Sequence, residues 1–410
     1  MRIAAVALIL ALLTAPPLLA AQPFVSLDDL DRAIAAVAKG KSANAFWERV
    51  VAEKRMPLIF GETVVFLYRG EGKTVEWRGD HVGWRPSEEA RGKRIGRSDI
   101  WQYRRAFERD ARIDYKLVVD GARWLIDELN PHAQVGGYGP NSELRMPDWR
   151  PSPLVTRSSN LPRGTLSTEQ RLTSEELGYD VVYRVYTPAG LASDARDLPS
   201  LYVTDGSDYW RDDMGALVVV LDNLIASKAL PPLVTVFVDP WDRKNGVNRR
   251  ETEYIPAQDG VCRYCTFLTG ELVPLIDSRY PTARSSDSRA ILGTSLGGLI
   301  ATVMTARHRD VFGLAGIQSP AYWLAPGGLD RLLSGDTAPA RAFIDIGSHE
   351  GDEAIADARR AKTILESHGA SVGWLEPHDG HSWGHWRATV DDVLLFLFRE
   401  DGREAKGERR

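Results

Sequence analysis

Ala290-Ile291-Leu292-Gly293-Thr294-Ser295-Leu296-Gly297-Gly298-Leu299-Ile300 is a short apolar run, a Gly-x-Ser-x-Gly pentapeptide and a second apolar run of helical character. The layout is that of a nucleophile elbow. A strand turns so sharply into a helix that the serine between them is held in a strained backbone conformation, with its hydroxyl at the tip. Gly293 and Gly297 flank Ser295 where side chains would collide as strand and helix close together. The helix dipole and the free amides of the first helical turn would lie beside Ser295, ready to stabilise an oxyanion. The pentapeptide alone carries little, because a Gly-rich turn before a helix also serves plain packing. The strand before it and the helix after it give it weight.

Outward from the elbow, apolar strands alternate with helix-length segments, which argues βαβ units and a mainly parallel sheet. The expected strands are Val181 to Tyr186, Ser200 to Val203, Leu233 to Val238, Ala290 to Leu292, Leu314 to Ile317, Ala342 to Ile346 and Val372 to Leu375. Helices should fill the intervals at Met214 to Lys228, Phe267 to Arg279, Leu299 to Arg307, Glu353 to His368 and Thr389 to Glu400. This is an α/β-hydrolase arrangement over residues 164–400, in which loops at the carboxyl ends of strands build the site. Upstream, Ser26 to Lys54 carries helical periodicity, and after Pro57 the pattern changes to period two in Thr63 to Arg69, Lys73 to Trp77 and Asp114 to Asp120. Residues 22–147 therefore read as a helix followed by a small β-sandwich, and the Pro- and Ser-rich stretch 148–163 as a linker. Trp77, Trp84, Trp101 and Trp124 could form a stacking face, though aromatic residues of a sandwich more often belong to its core. The charged, Gly-containing end 401–410 reads as a frayed tail.

A chain of 410 residues, 43% hydrophobic and 26% charged, has the composition of a globular protein of two domains. With 51 basic against 56 acidic residues, it offers no footprint for nucleic acid or an anionic membrane surface. Met1-Arg2, the apolar run from Ile3 to Leu13, the Pro16-Pro17 break and the small-residue exit at Ala20-Ala21 describe a signal peptide over residues 1–21. That stretch is too short and too Pro-broken for a membrane span, so a periplasmic or secreted protein is expected. In such an oxidising compartment the pair Cys262 and Cys265 reads as a small disulfide. The alternative, a redox-active Cys-x-x-Cys, lacks the βαβ frame such motifs need.

A serine hydroxyl is a poor nucleophile near neutral pH and needs a base within hydrogen-bond reach. In a hydrolase of this type the chain order is Ser, then acid, then His. Beyond Ser295 stand His308, His349, His368, His378, His381 and His385. His381 lies after the last expected strand and just before the final helix, with His378 and His385 as alternatives. The carboxylate that fixes the imidazole tautomer belongs in the loop after Ala342 to Ile346, where Glu350 is the first choice and Asp352 the alternative. Glu353 suits the first turn of a helix, and Asp345 alternates within the strand and points away. The amide of Leu296 should give one oxyanion donor, and the amide of Ser207, in the turn after Leu201 to Val203 that Gly206 permits, the second.

Asp205-Gly206, Arg250-x-x-Glu253-Tyr254, Glu271-Leu272-Val273-Pro274 ahead of Tyr280, the Gly293 to Leu299 elbow, Ser319-Pro320-Ala321-Tyr322-Trp323, Gly347-x-x-Glu350 and Gly380-His381-x-Trp383-x-x-Trp386 together resemble the esterase D family over about residues 164–397. That family contains the enterochelin esterases, feruloyl and acetyl-sugar esterases and the mycolyl transferases. Phe46-Trp47-Glu48-Arg49, Tyr68-Arg69-Gly70, Asp114 to Gly121 and Asp127 to Pro131 are similar to the amino-terminal sandwich of enterochelin esterases and to the early-set sandwiches fused to carbohydrate enzymes. The resemblance implies an α/β-hydrolase with Ser295 as nucleophile, His381 as general base then acid and Glu350 as its orienter, working without a metal or organic cofactor. The expected partner is a small-molecule or saccharide ester, either a carbohydrate or phenolic acyl ester or a siderophore trilactone. Trp241, Arg250, Trp323 and Trp383 are the candidate substrate contacts, and Arg243, Arg249 and Arg250 could receive an anion unless they form internal ion pairs. Two readings compete with hydrolysis: acyl transfer to a sugar hydroxyl, and a binding protein on a disused hydrolase frame. The expected export departs from enterochelin esterases, which work inside the cell.

Overall fold

The computed structural model describes residues 22–335 and 338–398. The expected signal peptide and the charged tail lie outside the described residues. The main sheet runs in spatial order Thr165–Leu166, Asp180–Thr187, Val234–Asp239, Ser200–Val203, Arg289–Thr294, Leu314–Gln318, Arg341–Asp345 and Ser371–Leu375, with Gln170–Thr173 added against Asp180–Thr187. From Val234–Asp239 onward every neighbour pairs in parallel, whereas Asp180–Thr187 is antiparallel to Val234–Asp239. The chain passes from Ser200–Val203 to its neighbour on one side and returns as Arg289–Thr294 on the other, which makes a switch point whose crevice opens at the strands' carboxyl ends.

Alternation along the strands divides the interior into two cores. Ala290 and Leu292 face Leu221, Phe343 and Val393 on one side of the sheet, and Ile291 faces Ile300, Val303 and Ile344 on the other. Every residue of Arg289–Thr294 is buried, as a central parallel strand covered on both faces must be. Helices Val273–Arg279, Leu296–Arg307 and Asp352–Ser367 cover the Ile291 side, and Leu217–Ala226 and Trp383–Phe398 the other.

All seven strands expected from the pattern are present, with ends shifted by at most two residues. Two helices differ. Phe267 to Arg279 is split by a π-helical turn at Leu268–Leu272 ahead of Val273–Arg279, where Pro274 has no N–H to give the ladder. The last helix begins at Trp383, six residues before the expected Thr389, because Trp383, Trp386, Val390, Val393 and Leu397 continue one buried stripe. Glycine weakens a helix, yet the missing Cβ of Gly384 serves packing, since any Cβ there would collide with the Arg112 guanidinium.

Upstream, the helical periodicity of Ser26 to Lys54 resolves into Leu27–Ala38 and Ala43–Ala52, interrupted at Gly40 (φ 91°) and capped by the hydroxyls of Ser26 and Ser42. Two antiparallel sheets follow. One orders Leu58–Phe60, Thr63–Arg69, Ile100–Ala106 and Lys93–Arg94; the other orders Val75–Gly79, Arg112–Val119, Gly139–Arg145 and Ala133–Gly136, with Arg123–Leu125 beside Arg112–Val119. They face each other through Val64, Phe66 and Tyr103 on one sheet and Trp77, Tyr115 and Leu117 on the other. The outer side of the first sheet packs Val65 and Leu67 against Leu30, Ile34 and Val50 of the two helices. Of the four tryptophans in question, Trp77 and Trp101 are core. Trp84 is half-buried with its indole N–H on Asp80, and Trp124 is 45% exposed beneath Arg78. Among the described residues no helix is long and apolar enough to cross a membrane.

Trp77→Ala removes a fully buried indole and is expected to cost about 3–5 kcal/mol, read as a lower denaturation midpoint. Trp124→Ala, on the surface, should leave the midpoint within about 0.5 kcal/mol of wild type.

Candidate active site

Ser295 sits between strand Arg289–Thr294 and helix Leu296–Arg307 at φ 59°, ψ −117°, a conformation a non-glycine residue adopts only when its surroundings enforce it. The enforcement is visible. Ser295 N–H donates to the Gln318 carbonyl at 2.9 Å, and the Ser295 carbonyl accepts from Ala321 N–H at 3.0 Å. A Cβ on Gly293 would fall on the Gly297 carbonyl, and a Cβ on either glycine would fall on the Thr204 hydroxyl.

The serine Oγ lies 2.9 Å from His381 Nε2, and His381 Nδ1 lies 2.7 Å from Glu350 Oε2. An ionised carboxylate can only accept, so Glu350 assigns the imidazole proton to Nδ1 and leaves Nε2 free to take the serine proton. The other carboxylate oxygen accepts from the Ser319 hydroxyl at 2.6 Å and from Gly347 N–H at 2.7 Å. The Glu350 side chain is 1% exposed. Burial pushes its carboxyl up, but the His381 charge and hydrogen bond, with help from His385 and Ser319, outweigh burial and hold it below the usual carboxylate value. Ser319 is itself at φ 43° and accepts from the Trp386 indole N–H at 2.8 Å. The loops carrying acid and base are laced together, His349 N–H to the Asp379 carbonyl at 3.0 Å and Ser348 N–H to the Pro377 carbonyl at 2.9 Å.

Helix Leu296–Arg307 begins directly after Ser295 with no side-chain cap, and the amides of its first turn, which have no intrahelical acceptor, are left uncapped by side chains. Ser207 belongs to the short helix Gly206–Tyr209, entered through Asp205 at φ 50°. A Cβ on Gly206 would strike the backbone of Phe237 and Val238. Arg250 ties the two turns together, Nε donating to Asp205 Oδ1 at 2.8 Å and Nη2 to the Thr294 carbonyl at 3.0 Å.

The structure thus brings Ser295, His381 and Glu350 into one hydrogen-bonded row and leaves the alternatives elsewhere. His378 pairs with Asp110 in the turn between Ile100–Ala106 and Arg112–Val119, and His385 is fully buried between Asp345 and Asp379. Asp352 and Glu353 are exposed in the first turn of Asp352–Ser367. Asp345 accepts from Gln318 and Thr389, away from His381. Trp323 is 49% exposed with its ring 6.1 Å from that of His381, and Trp241 is 37% exposed.

Two expected substrate contacts are corrected. Trp383 is core, its ring edge-on to Tyr209 and Trp386, because the final helix starts early and turns it inward. Arg250 braces the two turns rather than presenting a free cation. Its neighbours are likewise engaged, Arg249 with Asp242 at 2.8 Å and Arg243 with Asp239, so the three arginines are each neutralised locally. Glu253 does not pair with Arg250; it accepts from the Tyr179 hydroxyl at 2.7 Å. Sequence reasoning missed Ser319 as the donor to Glu350, although a serine at the carboxyl end of Leu314–Gln318, next to a proline, was a signal to weigh. The structure closes Cys262 and Cys265 into a disulfide. Among the described residues no group of three or more His, Cys, Asp or Glu side chains is placed to hold a metal ion.

Comparison with known proteins agrees with this architecture. The "Putative esterase" family model matches residues 174–397. The chain is 26% identical over 291 residues to the iron(III) salmochelin esterase of Escherichia coli, covering 66% of each chain. It is 22% identical over 298 residues to an endo-1,4-beta-xylanase/feruloyl esterase of Xylanibacter ruminicola, covering 70% of this chain and 38% of that protein. The solved structure of ferric enterobactin esterase from Salmonella typhimurium superposes with a TM-score of 0.65 over 82% of this chain and 93% of that one, at 20% identity, a likeness of fold.

Ser319→Ala withdraws one hydrogen bond from an ionised, buried carboxylate. At about 1.5–3 kcal/mol for such a bond, kcat on a short aryl ester should fall roughly 10- to 100-fold. Glu350→Gln should cost far more, on the order of 10⁴-fold as in triads whose acid becomes an amide, and Asp352→Asn should change kcat less than about twofold. Steady-state kinetics on the three variants checks the ranking.

Proposed function

We infer that this chain, which belongs to the "Putative esterase" family, is a serine carboxylic ester hydrolase. The observation that carries the reading is the unbroken row Glu350–His381–Ser295, with spacings of 2.7 and 2.9 Å. His381 Nε2 takes the Ser295 proton as Oγ attacks the ester carbonyl. The resulting oxyanion is met by the amides of Leu296 and Ser207. The imidazolium returns its proton to the leaving alkoxide, and the acyl-enzyme is hydrolysed by a water that His381 deprotonates in turn. Glu350 holds the imidazole tautomer throughout and stabilises its positive form.

For the substrate, the exposed indole of Trp323 beside His381 supplies an aromatic wall at the reacting centre, suited to stacking against a phenolic acyl group. That the similar proteins include a feruloyl esterase supports an aromatic acyl ester. The local neutralisation of Arg243, Arg249 and Arg250 weighs against selection by negative charge. Export from the cytoplasm is part of this reading, motivated by the apolar leader at residues 3–13 and consistent with the Cys262–Cys265 disulfide. So is a division into a sandwich domain over 22–147 and a hydrolase domain over 164–400.

Ser295→Ala should abolish turnover of p-nitrophenyl acetate and butyrate and labelling by a fluorophosphonate while leaving circular dichroism unchanged. Activity retained by that variant would eliminate the mechanism. Trp323→Ala should raise KM for a feruloyl ester about tenfold, in line with the 1–1.5 kcal/mol upper range of an aromatic pair, and leave KM for the acetate nearly unchanged. An equal effect on both esters would refute the stacking role.

A further inference from the structure

The segment carrying His381 has no regular structure between strand Ser371–Leu375 and helix Trp383–Phe398. Its placement comes in part from the amino-terminal sheets. Arg112, at the start of strand Arg112–Val119, is 0% exposed. Its backbone N–H donates to the His378 carbonyl at 2.9 Å. Its guanidinium spreads over four partners, Glu143 at 2.5 Å, Asp114 at 2.6 Å, the Ser382 hydroxyl at 2.7 Å and Asp379 at 3.4 Å. The first two belong to the amino-terminal sheets and fix the fork. The last two lie on either side of His381.

Two glycines record how closely the parts meet. A Cβ on Gly380 would land on the Asp80 carboxylate, and one on Gly384 would land on the Arg112 guanidinium. Asp80 in turn accepts from Asp114 N–H at 2.8 Å. The acid's loop is held from the same side, His349, next to Glu350, meeting Glu108 at 3.0 Å, and His378 meets Asp110 at 2.7 Å.

We propose that the amino-terminal sandwich is a positioning element of the active site, and that Arg112 sets where the His381 loop stands relative to Ser295. The proposal rests on His381 being the general base. Adhesion between two domains needs no buried guanidinium, since well-packed apolar side chains would join them at least as stably. A planar fork held at one end by Glu143 and Asp114 does what apolar contact cannot, namely fix direction and distance at its other end. Because His381 sits between the two anchored residues, a shift of about 1 Å would carry its Nε2 out of line with the serine, a misplacement worth about 10²-fold in rate. Arg112 never reaches the reacting atoms and acts through His381.

The test uses the full-length protein, with kcat normalised to sites titrated by a fluorophosphonate. Arg112→Lys keeps the charge and loses the fork. It should lower kcat roughly 10- to 100-fold with KM within about twofold, and lower it more on an alkyl ester, whose alkoxide must be protonated, than on a p-nitrophenyl ester. Ser382→Ala, which strips only the hydroxyl and leaves Arg112 its carboxylates, should shift both esters the same way by less. Tyr138→Ala, at a 99% exposed residue in the turn between Ala133–Gly136 and Gly139–Arg145, should behave as wild type. If Arg112→Lys does not fold, Ser382→Ala decides alone. Wild-type kcat on both esters, or a loss equal on both, would overturn the positioning role provided Ser295→Ala is inactive. An active Ser295→Ala would instead overturn the reading beneath it.

Discussion

The site depends on keeping one carboxylate ionised where water does not reach. Glu350 has almost no exposed surface, and an isolated charge there would take up a proton and stop orienting an imidazole. Three donors prevent this: His381, Ser319 and the amide of Gly347. Each makes its own demand on the chain. Ser319 must sit at positive φ to aim its hydroxyl, and the Trp386 indole holds it there, so the final helix has to begin early enough to bring Trp386 beneath it. Gly347 must be a glycine because any Cβ would strike the Asp379 carbonyl of the loop bearing His381. Strand ends, helix start and both loops thus answer to a single buried charge.

Behind Glu350 lies a second layer of buried charge. His385 is fully enclosed; burial alone would push its imidazole down, but the carboxylates of Asp345 and Asp379 outweigh burial, and its pKa is pushed up to about 10. A positive His385 contributes to the field that keeps Glu350 ionised. Asp379 faces both this imidazolium and Arg112, so cations from the two parts of the chain converge on one carboxylate beside His381. Removing Arg112 would leave Asp114 buried without its cation, a far larger penalty than the pair's net contribution.

The sequence was most legible where local periodicity and tertiary demand coincide. Leu292 and Ile291 had to lie on opposite faces, the Gly-x-Ser-x-Gly stretch announced a sharp strand-to-helix turn, and the choice of Ser295, Glu350 and His381 came from position along the chain together with the family resemblance, with Asp352 left open as the acid. It was least legible where one residue answers to another far away. Gly384 looks like a helix breaker until Arg112 is known to occupy the space its Cβ would fill, a separation of 272 positions that no local pattern encodes. Trp383 shows the same blindness, since motif position suggested a substrate contact and helix phase turned it into the core. The arginines after Pro240 read as a cationic loop because Asp205, Asp239 and Asp242 are distributed around them, and pairing is a property of the fold.

The placement of Arg250 changes what the loop is for. Joining Asp205 to the Thr294 carbonyl, it spans the turn that carries Ser207 and the turn that carries Ser295 and Leu296. Donors for an oxyanion are useful only if their spacing does not relax when charge appears between them, because reorganisation at that moment would spend the stabilisation they offer. A guanidinium bonded to both turns limits that relaxation without occupying the space between them. In the proposed mechanism, the residue that seemed to invite an anionic substrate instead braces the place where the oxyanion would form, and the exposed Trp323 beside His381 remains the candidate substrate contact.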